Sequence, residues 1–311
     1  MQVTNTIIMI RPMHFRMNKQ TTVNNYYQKD IDITGEEANK KAQKEFDQFV
    51  NVLEGIGVEV IVVDDDPGND TPDSIFPNNW VSFHKNGDVG LYPMFAVNRR
   101  KERRGEVLDK VEALGFEIKN IIDYTDAEDE GVFLEGTGSL VLDRVNRKAY
   151  CGLSPRADED LLIEFCEDFE YTPVVFYANQ TIEGKRLPIY HTNVMMLVGE
   201  TFAVVCLDAI DDKKERKNLI NHLKNDDKEI IKITENQVNS FVGNMLQVVG
   251  SKDKRYLVMS AMAFENLTKD QVTRIEKHCE IVSSDLNTIE TLGGGSARCM
   301  MAEVFLPKKC S

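Results

Sequence analysis

The sequence predicts an α/β protein made of about five copies of a strand–strand–helix–strand unit, on three observations. Capped helical patterns recur at a spacing of roughly sixty residues, a β-branched or apolar run follows each, and pairs of short strands precede most of them. No Pro-, Ser- or Gly-rich linker interrupts the series. Five such units can close into a ring, so the reading is one domain over residues 1–311 rather than two.

The helices are expected at 35–56, 99–114, 158–169, 211–224 and 268–278. Thr34 with Glu37, and Thr268 with Gln271, have the spacing of capping boxes, while Gly57 and Gly115 stop the first two helices. The runs that follow lie at 58–63, 118–122, 173–177, 229–233 and 281–283, rich in Val and Ile as strands require. Short strand pairs are read at 80–83 with 89–92, 140–143 with 149–152, 193–198 with 202–207, and 246–249 with 256–260. A strand at 3–11 opens the chain and one at 300–306 ends it. Between the first strand and first helix, residues 12–33 carry the polar run NKQTTVNNYYQK, with neither helical nor strand period. A loop of that length is usually functional or disordered, so a lid over a central site and a floppy connection are both open.

Composition narrows the function. The chain has 42% hydrophobic and 28% charged residues and a formal net charge of −14. That balance argues against a nucleic-acid or anionic-membrane surface, both of which need clustered Lys and Arg. No apolar run approaches the ~20 residues of a membrane span, and residues 1–5 have no basic or hydrophobic signal pattern. A cytoplasmic protein is expected, with a homodimer left open. The six cysteines (151, 166, 206, 279, 299, 310) form no CxxC, and the five histidines form no HxxxH or HExxH. Zinc is therefore not expected, and free, mostly buried thiols are.

Four polar stretches fall at ends of expected strands: Pro72 to Trp80, Leu134 to Gly138, Tyr190 to Asn193, and the glycine run Gly293-Gly294-Gly295 leading to Cys299. A thiol, an imidazole and a carboxylate are together the parts of a cysteine-nucleophile site. Singly, each is ambiguous. Cys299 fits a buried structural thiol, His191 a satisfied core histidine, Glu135 a turn carboxylate, and Asn78-Asn79 an Asx turn. Their joint appearance at strand ends of a repeated architecture favours chemistry.

The runs FLEGTGSLVLD, HTNVMM and GGGSARCMMAEVF resemble the Glu, His and Cys motifs of the guanidino-group-modifying superfamily, which includes arginine deiminases, dimethylarginine dimethylaminohydrolases and amidinotransferases. The resemblance runs from IRPMHF to AEVFLP and is most like the citrulline-utilisation hydrolase branch, through SIFPNNWVSFH, LYPM, NRRKERR and GGGSARCM. It implies a five-bladed α/β-propeller (pentein) of ββαβ units. It also implies Cys299 as nucleophile, His191 as general acid and base, and Glu135 as its partner. The PDSIFPNNW segment resembles one that supplies Asp73 to a substrate α-ammonium, with Phe76 as a further substrate-binding residue and Asn79 at the position of an acid that grips a guanidinium. NRRKE and GLSPR imply Arg99 and Arg156 as ligands of a substrate carboxylate. No metal or organic cofactor is implied, and the partner is a small amino-acid substrate.

Three departures bear on the substrate. Relatives often read E-G-G-D where this chain has Glu135-Gly136-Thr137-Gly138, so the second acid is missing. Asn79 and Asn193 stand where carboxylates are expected. A buried cation needs an opposite charge, whereas a neutral ureido group needs mixed donors and acceptors, which amides supply. The expectation is a cysteine hydrolase of citrulline or a close analogue, yielding ornithine, carbon dioxide and ammonia. An arginine- or methylarginine-type deiminase, an amidinotransferase with the same triad, and a non-catalytic binding module on the same fold are the rivals.

Overall fold

The structure is a computed structural model that describes residues 1–309; Cys310 lies outside the described residues. Five three-stranded sheets share one pattern, an antiparallel pair followed by a parallel third strand. In chain order they are Val81–Phe83, Asp88–Leu91 and Asn120–Asp123; Leu140–Asp143, Lys148–Gly152 and Thr172–Phe176; Met196–Val198, Phe202–Val205 and Glu229–Lys232; and Leu246–Val249, Arg255–Ser260 and Glu280–Ser284. The fifth joins the two ends of the chain: Ala302–Glu303 lies antiparallel to Thr6–Arg11, which lies parallel to Glu59–Asp64.

Parallel neighbours need a crossover, and in every sheet a helix supplies it. Gly35–Gly55, Gly105–Ala113, Glu159–Asp168, Lys213–Asn225 and Lys269–Ile275 each connect the second and third strands of one sheet. The longest shows why: Ala38, Ala42, Phe46, Phe49 and Leu53 recur at three- and four-residue steps and are all buried. They pack with Val58 and Ile7 of its own sheet region in one apolar cluster. Each fully buried Phe or Leu contributes about 1.5–3 kcal/mol.

The structure corrects several expectations. Residues 99–114 are not one helix. A 3-10 turn, Val97–Glu102, and the helix Gly105–Ala113 are separated by extended Arg103 and Arg104. Arg103 reaches Glu128 at 2.5 Å and the carbonyl of Tyr92 at 3.3 Å, and Arg104 reaches the carbonyl of Asp64 at 2.8 Å. Those tertiary bonds outweigh local helical preference. At the first helix Thr34 accepts from the Glu37 amide, but the Glu37 side chain pairs with Lys41 at 2.9 Å and does not return to the cap. The Thr268–Gln271 box is complete. Only Ala302–Glu303 of the expected final strand is extended in a sheet, and a further hairpin, Asn179–Ile182 with Lys185–Pro188, turns through Glu183 and Gly184 at positive φ. The five described cysteines are free and buried. Among the described residues no helix is long and apolar enough to cross a membrane.

Candidate active site

Glu135 and His191 occupy the same place in consecutive sheets. Each immediately precedes a one-turn helix, Gly136–Ser139 and Thr192–Met195, that leads into the first strand of its sheet. Thr192 Oγ1 donates to the Ser139 carbonyl at 2.6 Å and locks the two turns together. His191 Nε2 then meets Glu135 Oε2 at 2.7 Å, with both residues fully buried. The other carboxylate oxygen accepts the Phe95 amide at 3.0 Å.

Cys299 is carried into the site on the glycine run. A Cβ at Gly293 would sit 2.8 Å from the Phe76 ring, so only glycine lets the loop pass that wall. The Gly294 carbonyl accepts from Tyr190 Oη at 2.6 Å, tying the thiol loop to the residue before His191. Around the sulphur stand two amides: Asn244 Nδ2 at 3.2 Å and Asn193 Nδ2 at 3.6 Å.

Asp73, Phe76, Asn79, Arg99, Arg156, His191 and Cys299 line one cavity, with Asn25, Tyr190 and the glycines closing it. Its volume of about 10 Å³ holds roughly one water. Asp73 Oδ2 accepts from Asn18 Nδ2 at 2.8 Å and Thr21 Oγ1 at 3.3 Å, whereas Oδ1 is buried and has no partner among the described residues. Arg99 is gripped through Nε and Nη2 by Glu102, each at 2.9 Å, and gives Nη1 to Asn79 Oδ1 at 2.8 Å and Nη2 to the Phe76 carbonyl at 3.1 Å. That leaves Arg99 one N–H, so its main work is to orient Asn79. Arg156 lies over the Tyr190 ring and gives Nε to Asn24 Oδ1 at 2.9 Å, Nη2 to the Thr21 carbonyl at 3.1 Å and Nη1 to Glu135 at 3.4 Å. Asn25 Nδ2 and Gln28 Nε2 reach the carbonyls of Gly293 and Leu292, so segment 12–33 crosses the cavity from Asp73 to the thiol loop.

Burial sets the protonation states. It would raise the Glu135 carboxyl, but Arg156, His191 and Arg99 together carry it well below the usual carboxylate range. Burial pushes His191 down to about 4 against the pull of Glu135, and Arg156 and Arg99 add to the fall. Burial raises the Cys299 thiol, partly offset by Asn244. At neutral pH the site therefore rests as thiol, neutral imidazole and carboxylate.

All nine residues named from the sequence converge here: seven line the cavity, Glu135 stands behind His191, and Asn193 lies beside the sulphur. Sequence reading missed Asn244, Asn25, Tyr190 and Glu102. Tyr190, next to His191, and Glu102, three residues after Arg99, had weak positional signals; Asn244 had none. Among the described residues no group of three or more His, Cys, Asp or Glu is arranged to hold a metal ion.

Residues 11–306 match the family model for eukaryotic N,N dimethylarginine dimethylhydrolase. No curated protein sequence matches. Among solved structures, apo ArgZ, an arginine dihydrolase from the ornithine-ammonia cycle in Cyanobacteria, is similar at a TM-score of 0.75 and 16% identity. That likeness covers 97% of this chain and 41% of ArgZ, so the chain spans about two fifths of that protein's length. The substrate-bound N-terminal domain of ArgZ is similar at 0.72 and 16% identity, covering 97% and 99%. A dimethylarginine dimethylaminohydrolase captured as an adduct with S-methyl-L-thiocitrulline gives 0.62 at 13% identity, covering 97% and 99%. These likenesses fix the pentein α/β fold. The family match covers nearly the whole chain, and the chain belongs to the N,N-dimethylarginine dimethylhydrolase family of the guanidino-group-modifying superfamily.

Proposed function

We propose that the chain is a cysteine-dependent hydrolase of the ureido carbon of L-citrulline or a close analogue, giving ornithine, carbon dioxide and ammonia. The observation that carries this reading is the cavity's single lining carboxylate, Asp73, together with amides beside the sulphur. The unpartnered Asp73 Oδ1 suits an α-ammonium. Arginine would bring a second cation to a place where Asn79 and Asn193 offer only amides, and an unpaired buried cation is costly. A ureido group accepts through its oxygen and donates through its nitrogens, so the same amides suit it.

In this reading Arg156 takes the substrate carboxylate, with the remaining N–H of Arg99 beside it. Neutral His191 removes the Cys299 proton, the sulphur attacks the ureido carbon, and the imidazolium passes the proton to the departing ornithine amine. Ionised Glu135 stabilises that imidazolium. Water, deprotonated by His191, then cleaves the S-carbamoyl group, the electron pair returns to sulphur, and the carbamate separates into carbon dioxide and ammonia. Segment 12–33 acts as a lid, because a cavity of about 10 Å³ cannot admit an amino acid until that segment moves. We read the five sheets as blades of one ring over residues 1–311, supported by the sheet that joins both chain ends. Five free thiols favour a reducing compartment such as the cytoplasm.

A second reading, an arginine dihydrolase, is favoured by the likeness to the ArgZ N-terminal domain; it would perform one hydrolysis more and release two ammonia molecules. Incubation with citrulline, arginine and dimethylarginine, with Cys299→Ser as the blank, separates these. Ornithine and ammonia in equal amounts from citrulline are expected. Ammonia from arginine with none from citrulline sinks the substrate assignment.

A further inference from the structure

We propose that Asn244 is a further catalytic residue, whose side-chain amide donates a hydrogen bond to Cys299 Sγ and stabilises the sulphur as thiolate. The inference rests on Cys299 being the nucleophile, as in the reading above, but not on which substrate it attacks.

Three contacts fix this amide. Asn244 is fully buried. Its Oδ1 accepts the Arg298 backbone N–H at 3.1 Å, and its Nδ2 donates to the Asn193 carbonyl at 3.0 Å. Turning the amide over would set oxygen against the carbonyl and the amino group against the N–H, losing both bonds, so the orientation is decided by the backbone. The second Nδ2 hydrogen is left for Sγ, 3.2 Å away. Asn193 has no such constraint: its Nδ2 and Oδ1 lie 3.6 and 3.8 Å from the sulphur, and either end can face it.

The sulphur has few other sources of stabilisation. Arg298, next in the chain, gives Nη1 to the Met301 carbonyl at 2.7 Å and Nη2 to Glu303 at 3.0 Å, so neither bonds the thiol. No Lys or Arg side chain donates to Sγ among the described residues. A buried anion without a donor is strongly disfavoured, and a hydrogen bond to a charged acceptor is worth about twice a neutral one. Negative charge sits on sulphur twice in the cycle: once when His191 has taken the Sγ proton and the S–C bond is about to form, and again when that bond breaks and its electron pair returns to sulphur. Asn244 acts at both points. The same residue also joins the thiol loop to the His191–Asn193 turn.

The test is alkylation of Cys299 by iodoacetamide at about pH 8, followed by mass spectrometry of its peptide, in wild type, Asn244→Ala and Asn244→Asp. The aspartate keeps the shape and the acceptor for the Arg298 N–H but has no N–H for sulphur. Both variants should react about tenfold more slowly, equivalent to an upward thiol shift of about one pH unit. Folded variants that react as fast as wild type overturn the proposal. A reading that needs no variant comes from asparagine-selective ¹⁵N labelling: the Asn244 side-chain protons should move when Cys299 is alkylated, and unmoved protons refute the contact. Alkylation uses no substrate, so citrulline proving inert would leave this test intact, while an alkylation rate independent of Asn244 would leave the citrulline assignment standing.

Discussion

Gly138→Ala tests the site without deleting any functional group. Gly138 lies on the one-turn helix after Glu135, between the two halves of the site. A methyl there would sit 2.8 Å from both Cε1 and Nδ1 of His191, and closer still to Asn79 Nδ2. Ordinary contact begins near 3.4 Å, so the imidazole must retreat by about 0.6 Å and the Asn79 amide by more. Neither is free to do so: His191 is held by Glu135 at 2.7 Å, and Asn79 by Arg99 at 2.8 Å and Asn78 at 3.1 Å. A misplacement approaching 1 Å can cost about 10²-fold in rate, and overpacking a dense core costs about 1–3 kcal/mol. We expect kcat/KM for ornithine release to fall by about two orders of magnitude, with a modest drop in Tm. Gly105→Ala is the control, because nothing lies within 4 Å of a Cβ there. Activity of Gly138→Ala within threefold of wild type would refute the crowding argument and the role given to His191 and Asn79.

Four further outcomes follow from the same geometry. Glu135→Gln keeps the shape but removes the charge facing His191, Arg156 and Arg99, so kcat should fall by about 10³-fold or more in steady-state assays while the chain still folds. Since burial depresses His191 from 6.5 to about 4, the unfolded state binds its proton first. Relative to His191→Gln, wild type should hold its His191 contribution above pH 6.5 and lose up to about 3 kcal/mol as pH falls to 4, read by denaturant titration at several pH values. Asp143→Leu leaves buried Lys228, 3.1 Å from the lost carboxylate, without its counter-ion, and should cost about 3–5 kcal/mol in chemical denaturation; a loss below 1 kcal/mol contradicts the pairing. Asn24→Ala removes the acceptor that Arg156 Nε uses from segment 12–33, and should speed iodoacetamide alkylation of Cys299 severalfold if that segment gates the cavity.

Much of this was legible in the chain because the signals were local. Thr268 and Gln271 formed their box, and each crossover helix was followed by the strand that its Val- and Ile-rich run announced. The site residues were legible for a similar reason: each sits in a short run at one sheet end, so motif and geometry coincide. What escaped was set at a distance. Arg103 and Arg104 break a helical pattern for partners at Glu128, Tyr92 and Asp64, none of which the local sequence reveals. The hairpin at Asn179–Pro188 has largely polar, exposed strands and so lacks an alternating apolar face. Asn244 reaches Cys299 across 55 positions, and nothing in Phe241 to Leu246 marks it as polar for a purpose.

Segment 12–33 is likewise tied to the site by long-range bonds. Its side chains and carbonyls occupy the groups that an amino-acid head would need: Asn18 and Thr21 hold Asp73 Oδ2, while Asn24 and the Thr21 carbonyl hold Arg156. The segment thus supplies hydrogen-bond partners to a buried carboxylate and a buried guanidinium, beside the contact that Arg156 makes to Glu135. Asp73 Oδ1 has no partner among the described residues. An entering ligand must supply one positive donor for that oxygen and one acceptor for Arg156, which is the pattern of an α-amino acid. On the proposed function, recognition of the head would be an exchange of hydrogen bonds between segment and ligand, and discrimination would fall to the far end, where sulphur and amides meet the group to be cleaved.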